Sequence, residues 1–488
     1  MLTVLFAISE SGVVAPENPN DPIPWSGSPA GKADMKRFQA LTMNSDALIV
    51  GRKTWESIPV DKTTGKRLPY RRCMIISRQK NESKSDEERY ETVQQCIAQI
   101  RAENLKRVYF IGGLNLLESM KEYITNYDIT VIPEPKDKPY TGIKSEFLLK
   151  KGTCMPQQSY EENMFLMNHR FRIRDEDQIL RLIARAIQQP GRMDRTGVGS
   201  HQIFGEHISF DLTRGKFPLI THRKSFMRGM FEELMWFIRG QTNVQLLRDK
   251  KVHIWDGNTS AEYLKSRGLE KYEPHTLAGP IYGWQWRNFG GEYFPEASSP
   301  DQKSVSADGT DQLAFIVREI KKRSNSRRLV MSAWNPRQEP DMCLPPCHIL
   351  YQFHIEKVNP ESQSELDPNS DEYWLDCHYY QRSSDMTLAL GWNIASASLL
   401  TYLIAKATGC QPRRLYASLG NCHVYSNHLE QARLIAGLPT FDPPRIEISE
   451  PAKCDDNADP VKILESFEWD DIKIHEYKHG PTIKMPMN

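Results

Sequence analysis

Short apolar runs alternate with helix-period patterns through the first third of the chain. Residues 2–8, 47–50, 72–77, 108–111 and 128–132 read as strands, residues 33–41 and 92–100 as helices, and a last strand falls near 164–171. That rhythm predicts an α/β sheet domain. From Glu176 the pattern becomes helical, within DEDQILRLIARAI, whose acidic start suits the positive end of a helix dipole. The boundary is therefore expected near residue 173, giving domains 1–173 and 174–488. The near absence of a linker predicts that the halves stay close together. Residues 297–311 and 359–371 are rich in Ser, Pro and Asp and read as surface loops. No internal repeat and no long low-complexity tract is visible.

Composition narrows the class. At 488 residues the chain is too long for one ordinary core, and its 39% hydrophobic residues can fill more than one. The charged residues balance to a formal +1, which gives no electrostatic reason to expect nucleic acid or membrane as a partner. Nine cysteines, odd in number and irregularly spaced, fit free thiols in a reducing compartment, so the cytoplasm is expected. The opening MLTVLFAISESG lacks a basic n-region and reads as a buried strand. The longest apolar helix, near 395–405, is too short to span a bilayer and runs into Lys406. No metal site is expected.

In CLPPCHILYQF, two prolines followed by an apolar run place the Cys347 thiol at the end of a rigid turn that leads into a strand. A cysteine beside prolines is more often structural than catalytic. The arginines change the balance: Arg195 in RTGVG, Arg327 and Arg328 in SRRLVMSAWNP, and Arg382 beside Ser383 in YQRSSD. Guanidinium forks suit a phosphate dianion, and positive charge near a thiol favours the thiolate. Any one arginine alone would be read as a surface salt bridge.

Residues from about 174 to 488 resemble the thymidylate synthase family. The matching blocks are DRTGVG, FPLITHRKSF, EELMWFIRGQTN, HIWDGN, GPIYGWQWRNFG, DQL, SRRLVMSAWNP, LPPCH, YQRSSD, NIAS and HVYSNH. The resemblance implies an α+β domain that methylates C5 of dUMP from 5,10-methylenetetrahydrofolate, releasing dihydrofolate. Cys347 would add to C6 of the pyrimidine. Arg195, Arg382 and Ser383 would hold the phosphate, with Arg327 and Arg328 reaching it from a second subunit, so a homodimer is implied. Asn393 would read the uracil edge, where a carboxylate would suit cytosine. His423 and Tyr425 would bind the sugar hydroxyl, and Asp385 would lie near the folate ring and nucleotide. Glu233 would relay protons through water, although a helix-start carboxylate is the plainer reading of its sequence position. Trp255 and Tyr282 would shelter the reacting carbon and proton, against an aromatic-core reading of about even odds.

This half departs from its family near the site. LALGWN replaces the usual Leu-Gly-x-Pro-Phe-Asn, Gly420-Asn421 replaces Gly-Asp, and the chain ends IKMPMN at Asn488.

Residues 1 to about 172 resemble the dihydrofolate reductase family, through Asp34 four residues before Phe38 in ADMKRFQALT, Trp25 after a proline-rich loop, Gly51-Arg52-Lys53-Thr54 after a strand, Arg71 after LPY, and Gly112-Gly113 after VYFI. On a helix Asp34 and Phe38 share a face. The resemblance implies a mixed, mainly parallel sheet and NADPH-dependent reduction of dihydrofolate. Asp34, lone acid of an apolar pocket, would bind the pterin and promote protonation of N5, with Thr130 bonded to it. Phe38 would pack on the folate and Arg71 would pair with its carboxylate. Ala7, Trp25, Gly51, Arg52, Lys53, Thr54, Ser77, Arg78, Gly112 and Gly113 would meet NADPH. Departures are Ala15 and Leu114, each where glycine is common, and a lengthened loop GVVAPENPNDPIPW.

The halves would close a cycle, since methyl transfer yields the dihydrofolate that the first half reduces. Two rivals stand beside this reading. One is a pyrimidine hydroxymethylase, in which water completes the one-carbon transfer. The other is a folate- or RNA-binding pseudoenzyme, against which Cys347, Glu233, Asp34 and the lack of a basic excess weigh.

Overall fold

The computed structural model describes residues 2–18, 21–78, 87–137, 139–148, 157–159, 164–170, 174–193, 197–272, 276–293, 308–358, 373–451 and 458–485, with backbone alone for 157–159 and 165–170. Residue 173, Arg195, Asn488 and most of the two polar stretches, 297–307 and 359–371, lie outside the described residues.

The chain divides into two compact units: residues 1–185 with 433–440, and residues 186–432 with 441–488. This contact-based division differs from the boundary expected near residue 173. It places the helix Asp177–Ala186 almost wholly with the first unit, and also a short segment from far along the chain. Within that unit Arg101 is buried, donates to the carbonyls of Ala436 and Leu438, and pairs with Asp177 at 2.6 Å. Long-range contacts of this kind carry no signal in a local sequence pattern.

The first unit is built on an eight-stranded sheet of order β5-β4-β3-β6-β1-β7-β10-β9. Its members are β1 (Leu2–Ser9), β3 (Ala47–Gly51), β4 (Cys73–Ile76), β5 (Glu88–Tyr90), β6 (Val108–Gly112), β7 (Asn126–Ile132), β9 (Gln157–Ser159) and β10 (Phe165–Arg170). All pairs from β5 to β7 are parallel, and β10 returns antiparallel on β7 and β9. The expected mixed, mainly parallel sheet is observed. Every residue of β3 is buried, as a strand covered on both faces requires. A separate two-stranded ribbon pairs β2 (Val13–Ala15) antiparallel with β8 (Ile143–Lys144).

Helix α1 (Pro29–Met43) starts where Ser28 caps the Gly31 N–H and Pro29 sits where no amide donor is needed. Helices α2 (Arg52–Ser57) and α4 (Leu114–Met120) start directly after β3 and β6, and α3 (Val93–Ala102) carries a Thr92–Gln95 capping box.

The second unit is centred on a five-stranded sheet of order β11-β15-β14-β13-β12: β11 (Ser200–Asp211), β12 (Val330–Ser332), β13 (His348–Lys357), β14 (Tyr373–Asp385) and β15 (Gln411–Tyr425). One pair, β14 with β15, is parallel and the others are antiparallel. The helix Leu390–Thr408 packs on this sheet with nearly all of its residues buried, which explains an apolar pattern with little face preference. A two-stranded ribbon, β16 (Arg445–Ile448) with β17 (Ile472–His475), follows. Among the described residues no helix is long and apolar enough to cross a membrane, and the seven described cysteines are all free.

Candidate active sites

Strand register assembles the second unit's site. The parallel pairing of β14 and β15 sets Ser383 opposite Asn421 and Asp385 opposite His423 at the C-terminal ends of both strands. On the other side of β14, the β13 pairing brings the Leu-Pro-Pro-Cys turn alongside, with Arg382 N–H donating to the Cys347 carbonyl at 2.8 Å. The Arg382 guanidinium then donates to the carbonyls of Pro346 at 2.8 Å and Pro345 at 2.9 Å and lies over the Trp334 ring.

Cys347 is only partly exposed, and its amide donates to the Tyr282 hydroxyl at 2.7 Å. Burial raises the thiol's pKa above its ordinary 9.0, while the Arg382 charge and a hydrogen bond with the Tyr282 hydroxyl pull it down. The expected effect of positive charge is therefore present, but burial outweighs it. Tyr282 itself is buried, stacks on His348 at 4.3 Å between ring centroids, and has its hydroxyl pushed well above the usual value by burial. His348 is pushed down to about 3 by burial, so it stays neutral near pH 7.

Glu233 stands in the middle of the helix Met227–Ile238, which removes the helix-start reading of this carboxylate. Its neighbour Glu232 is tied to Lys250. The two oxygens of Glu233 instead accept indole N–H bonds, from Trp255 at 2.8 Å and from Trp392 at 2.9 Å. Burial raises its pKa above 4.5 and both indoles oppose that shift. The residue as a whole is half-buried.

Asp385 closes a local turn, accepting from Thr387 N at 3.0 Å, Thr387 Oγ1 at 2.8 Å and Leu388 N at 3.1 Å, just before the helix that carries Asn393. Asn393 is half-buried in the first turn of that helix. His423 packs edge-on to Tyr425, and its Nδ1 lies 2.9 Å from Asn421 Oδ1. Of the expected arginines among the described residues, Arg382 alone meets Cys347. Arg327 and Arg328 are exposed just before β12 and have no side-chain partner among the described residues.

Two departures from the family pattern acquire a structural role. Asn421 donates to Gln202 Oε1 at 2.8 Å while its oxygen orients His423. At Gly391 a Cβ would stand 2.6 Å from Ile220 Cγ2, so glycine lets the helix start lie against the FPLITHRKSF segment. That segment also receives the chain's end, through Gly480 N–H to the Thr221 carbonyl and Ser225 N–H to the Tyr477 hydroxyl. Trp392, Asn421 and Gln202 were not among the expected site residues. Positions 392 and 421 were marked only by differing from the pattern.

In the first unit, Asp34 and Phe38 lie half-buried on α1, and the Thr130 hydroxyl of β7 hydrogen-bonds to Asp34. Burial raises the Asp34 pKa above 3.8, opposed by Thr130 and Arg37. Asp34 is not a lone acid: Asp128 is buried nearby, paired with Arg37, and adds to the upward shift. Thr42 hydrogen-bonds to the Phe38 carbonyl and accepts from Arg71 Nε at 3.0 Å, bringing Arg71 to the same helix.

The ends of β3 and β6 bring Gly51, Gly112, Gly113 and Thr54 together. Gly113 has φ of 107°, and a Cβ on it would lie 3.5 Å from Gly51 Cα. A Cβ on Gly112 would stand 2.5 Å from Thr54 Cγ2. This is a close-backbone cradle at the C-terminal ends of parallel strands, the place where such sheets bind nucleotides, and it fits a dinucleotide phosphate. Arg52 is paired with Glu56 at 2.9 Å and Lys53 is exposed. Trp25 is buried edge-on to Tyr140, Ala7 pairs with Thr130 in the sheet, Ser77 is buried and Arg78 exposed. Ala15 sits in β2, where a Cβ on Gly142 would meet its carbonyl at 2.2 Å, and Leu114 opens α4.

A desolvated thiol, indole-bonded carboxylate and arginine in one unit, and a half-buried acid with a glycine cradle in the other, define a two-site enzyme class. The thymidylate synthase family model matches residues 177–488 and the dihydrofolate reductase family model matches residues 1–148. A bifunctional dihydrofolate reductase-thymidylate synthase of Paramecium tetraurelia is 32% identical over 99% of this chain and 98% of its own length. The chain thus belongs to the bifunctional dihydrofolate reductase-thymidylate synthase family. The Leishmania amazonensis enzyme of that name is 42% identical over 64% of this chain, a match that spans 55% of its length. Human thymidylate synthase is 40% identical over 60% of this chain and 84% of its own length.

Proposed function

We propose that this protein makes dTMP from dUMP and 5,10-methylenetetrahydrofolate, and regenerates tetrahydrofolate from the dihydrofolate so formed. Its domains are a reductase over 1–173 and an α+β synthase over 174–488, and it works as a cytoplasmic homodimer paired through the synthase. The observation that supports this most is the Cys347 thiol held against Tyr282 and Arg382.

In the synthase, Cys347 Sγ bonds to C6 of dUMP, and C5 becomes the nucleophile for the one-carbon unit. The C5 proton leaves through water held by Glu233 and Tyr282, and the C–N bond to the folate breaks to leave a C5 methylene. A hydride from the released tetrahydrofolate reduces that methylene to methyl as the Cys347 thiolate departs and the C5–C6 double bond reforms, leaving dihydrofolate. Arg195, Arg382 and Ser383 grip the phosphate, joined by Arg327 and Arg328 of the partner subunit, whose exposure in one chain fits that role. Asn393 reads the uracil, His423 and Tyr425 hold the sugar, and Asp385 and Trp255 face the folate and nucleotide.

In the reductase, Asp34 with Thr130 holds the pterin, Phe38 packs on it and Arg71 pairs with its carboxylate. NADPH, when bound, supplies the hydride. The cradle of Gly51, Gly112, Gly113 and Thr54, with Arg52, Lys53, Ser77 and Arg78, would hold its phosphates, and Ala7 and Trp25 would also contact it.

The test incubates the full chain with dUMP, methylenetetrahydrofolate and NADPH, following dTMP by chromatography and NADPH by absorbance. Formation of dTMP in step with NADPH loss is expected. Hydroxymethyl-dUMP in its place, or no nucleotide product, would overturn the proposal.

A further inference from the structure

We infer that Trp392 is a positioning residue for Glu233, its indole N–H fixing the carboxylate for proton transfer at the pyrimidine. This rests on the reading of Glu233 as the synthase's proton relay. Glu233 is gripped on both oxygens, Oε1 by Trp255 at 2.8 Å and Oε2 by Trp392 at 2.9 Å. Trp255 belongs to the HIWDGN block shared with the family. Trp392 stands where the family pattern has phenylalanine, a ring without a donor, so the second grip comes from this chain's own sequence.

The indole is seated on the helix that carries Glu233. Gly229 lies one turn before the carboxylate, and a Cβ there would stand 3.1 Å from Trp392 Cη2 and 3.9 Å from Val252 Cγ1. With the ring wedged at that glycine and its N–H on Oε2, the carboxylate cannot rotate without leaving an indole donor unsatisfied. Glycine also precedes Trp392, at 391, where the helix start lies against Ile220.

Among the described residues, the titratable groups that sense Glu233 are Tyr282 from the helix Tyr282–Asn288 and Tyr351 from β13, both kept protonated by burial. Cys347 lies beyond Tyr282, and Glu232 is taken up by Lys250. Among the described residues, the two indole bonds alone counter the burial of Glu233. Removing one favours the protonated carboxylate, which cannot accept the proton, so the acidic limb of the rate profile must move up.

The experiment measures dTMP formation by the full chain and by Trp392→Phe, Glu233→Gln and the double variant, from about pH 5 to about pH 9. For Trp392→Phe the acidic limb of kcat should rise by about one pH unit and kcat near neutrality should fall roughly 5- to 10-fold, with KM for dUMP within about 2-fold. In the Glu233→Gln background the same change should add nothing. If Glu233→Gln lowers the rate but Trp392→Phe leaves the limb in place, or acts through KM alone, the inference is wrong and the relay reading survives. If Glu233→Gln keeps the full rate, the relay reading falls and the inference falls with it. Unchanged dUMP affinity in Trp392→Phe shows that its pocket is intact.

Discussion

At the scale of single residues, the two sites titrate for the same physical reason. Cys347, Glu233 and Asp34 are each raised by burial and partly restored by one or two specific partners. Cys347→Ala should abolish dTMP formation while NADPH-dependent reduction of dihydrofolate continues, measured on one preparation; surviving methyl transfer would remove the thiol from its role. Asp34→Asn should do the converse. Asp34 also predicts a stability effect. Its folded pKa lies above 3.8, so its contribution is fully present below that value and is lost as pH rises through the raised one. Asp34→Asn should therefore melt higher than the parent by roughly 2–4 °C at about pH 8, with the gap closing toward about pH 4.5. A gap that is constant with pH would contradict this account. Cys347, Asp34 and Glu233 were picked out by the family motifs that contain them, where local sequence alone favoured a structural cysteine and ordinary helix carboxylates. The partners that set their pKa were not, since Asp128 and Trp392 are 94 and 159 positions away from Asp34 and Glu233 in the chain.

At the scale of elements, short apolar runs and helix-period patterns identified six of the eight strands of the first sheet and helices α1 and α3, because buried parallel strands and amphipathic helices have distinct periods, while the short β5, β9 and α4 left no such pattern. Glycines at strand ends were legible as turns, but not as a shared surface. Gly112→Ala puts a methyl 2.5 Å from the Thr54 side chain and should raise the Kd for NADPH about 10-fold or more, leaving dTMP formation intact. Thr54→Ser removes the obstructing Cγ2, so the double variant should recover much of the affinity, as ligand fluorescence titration can show. Failure to recover would mean that the cradle is not what Gly112 protects.

At the scale of the whole molecule, the exposed Arg327 and Arg328 and the thiol at Cys347 belong to one proposed site only when two chains meet. Mixing inactive Cys347→Ala with an inactive Arg327→Ala/Arg328→Ala variant, after reversible dissociation, should restore about a quarter of parental dTMP formation. Half of randomly reassorted dimers are hybrids and each hybrid holds one complete site. No recovery would argue that both arginines act within their own chain.

By itself the sequence determined the class of each half, which cysteine and which acid stand as the proposed nucleophile and pterin ligand, and most of the order of elements, because these reside in local periodicity and contiguous motifs. Only the tertiary structure decided which groups touch: that Asp385 stands opposite His423, that Arg382 alone of the described arginines meets Cys347, that Asp34 shares its pocket with an ion pair, and that Trp392 completes the grip on Glu233. Such contacts depend on strand register and on the packing of residues far apart in the chain, and no window along the sequence contains both partners.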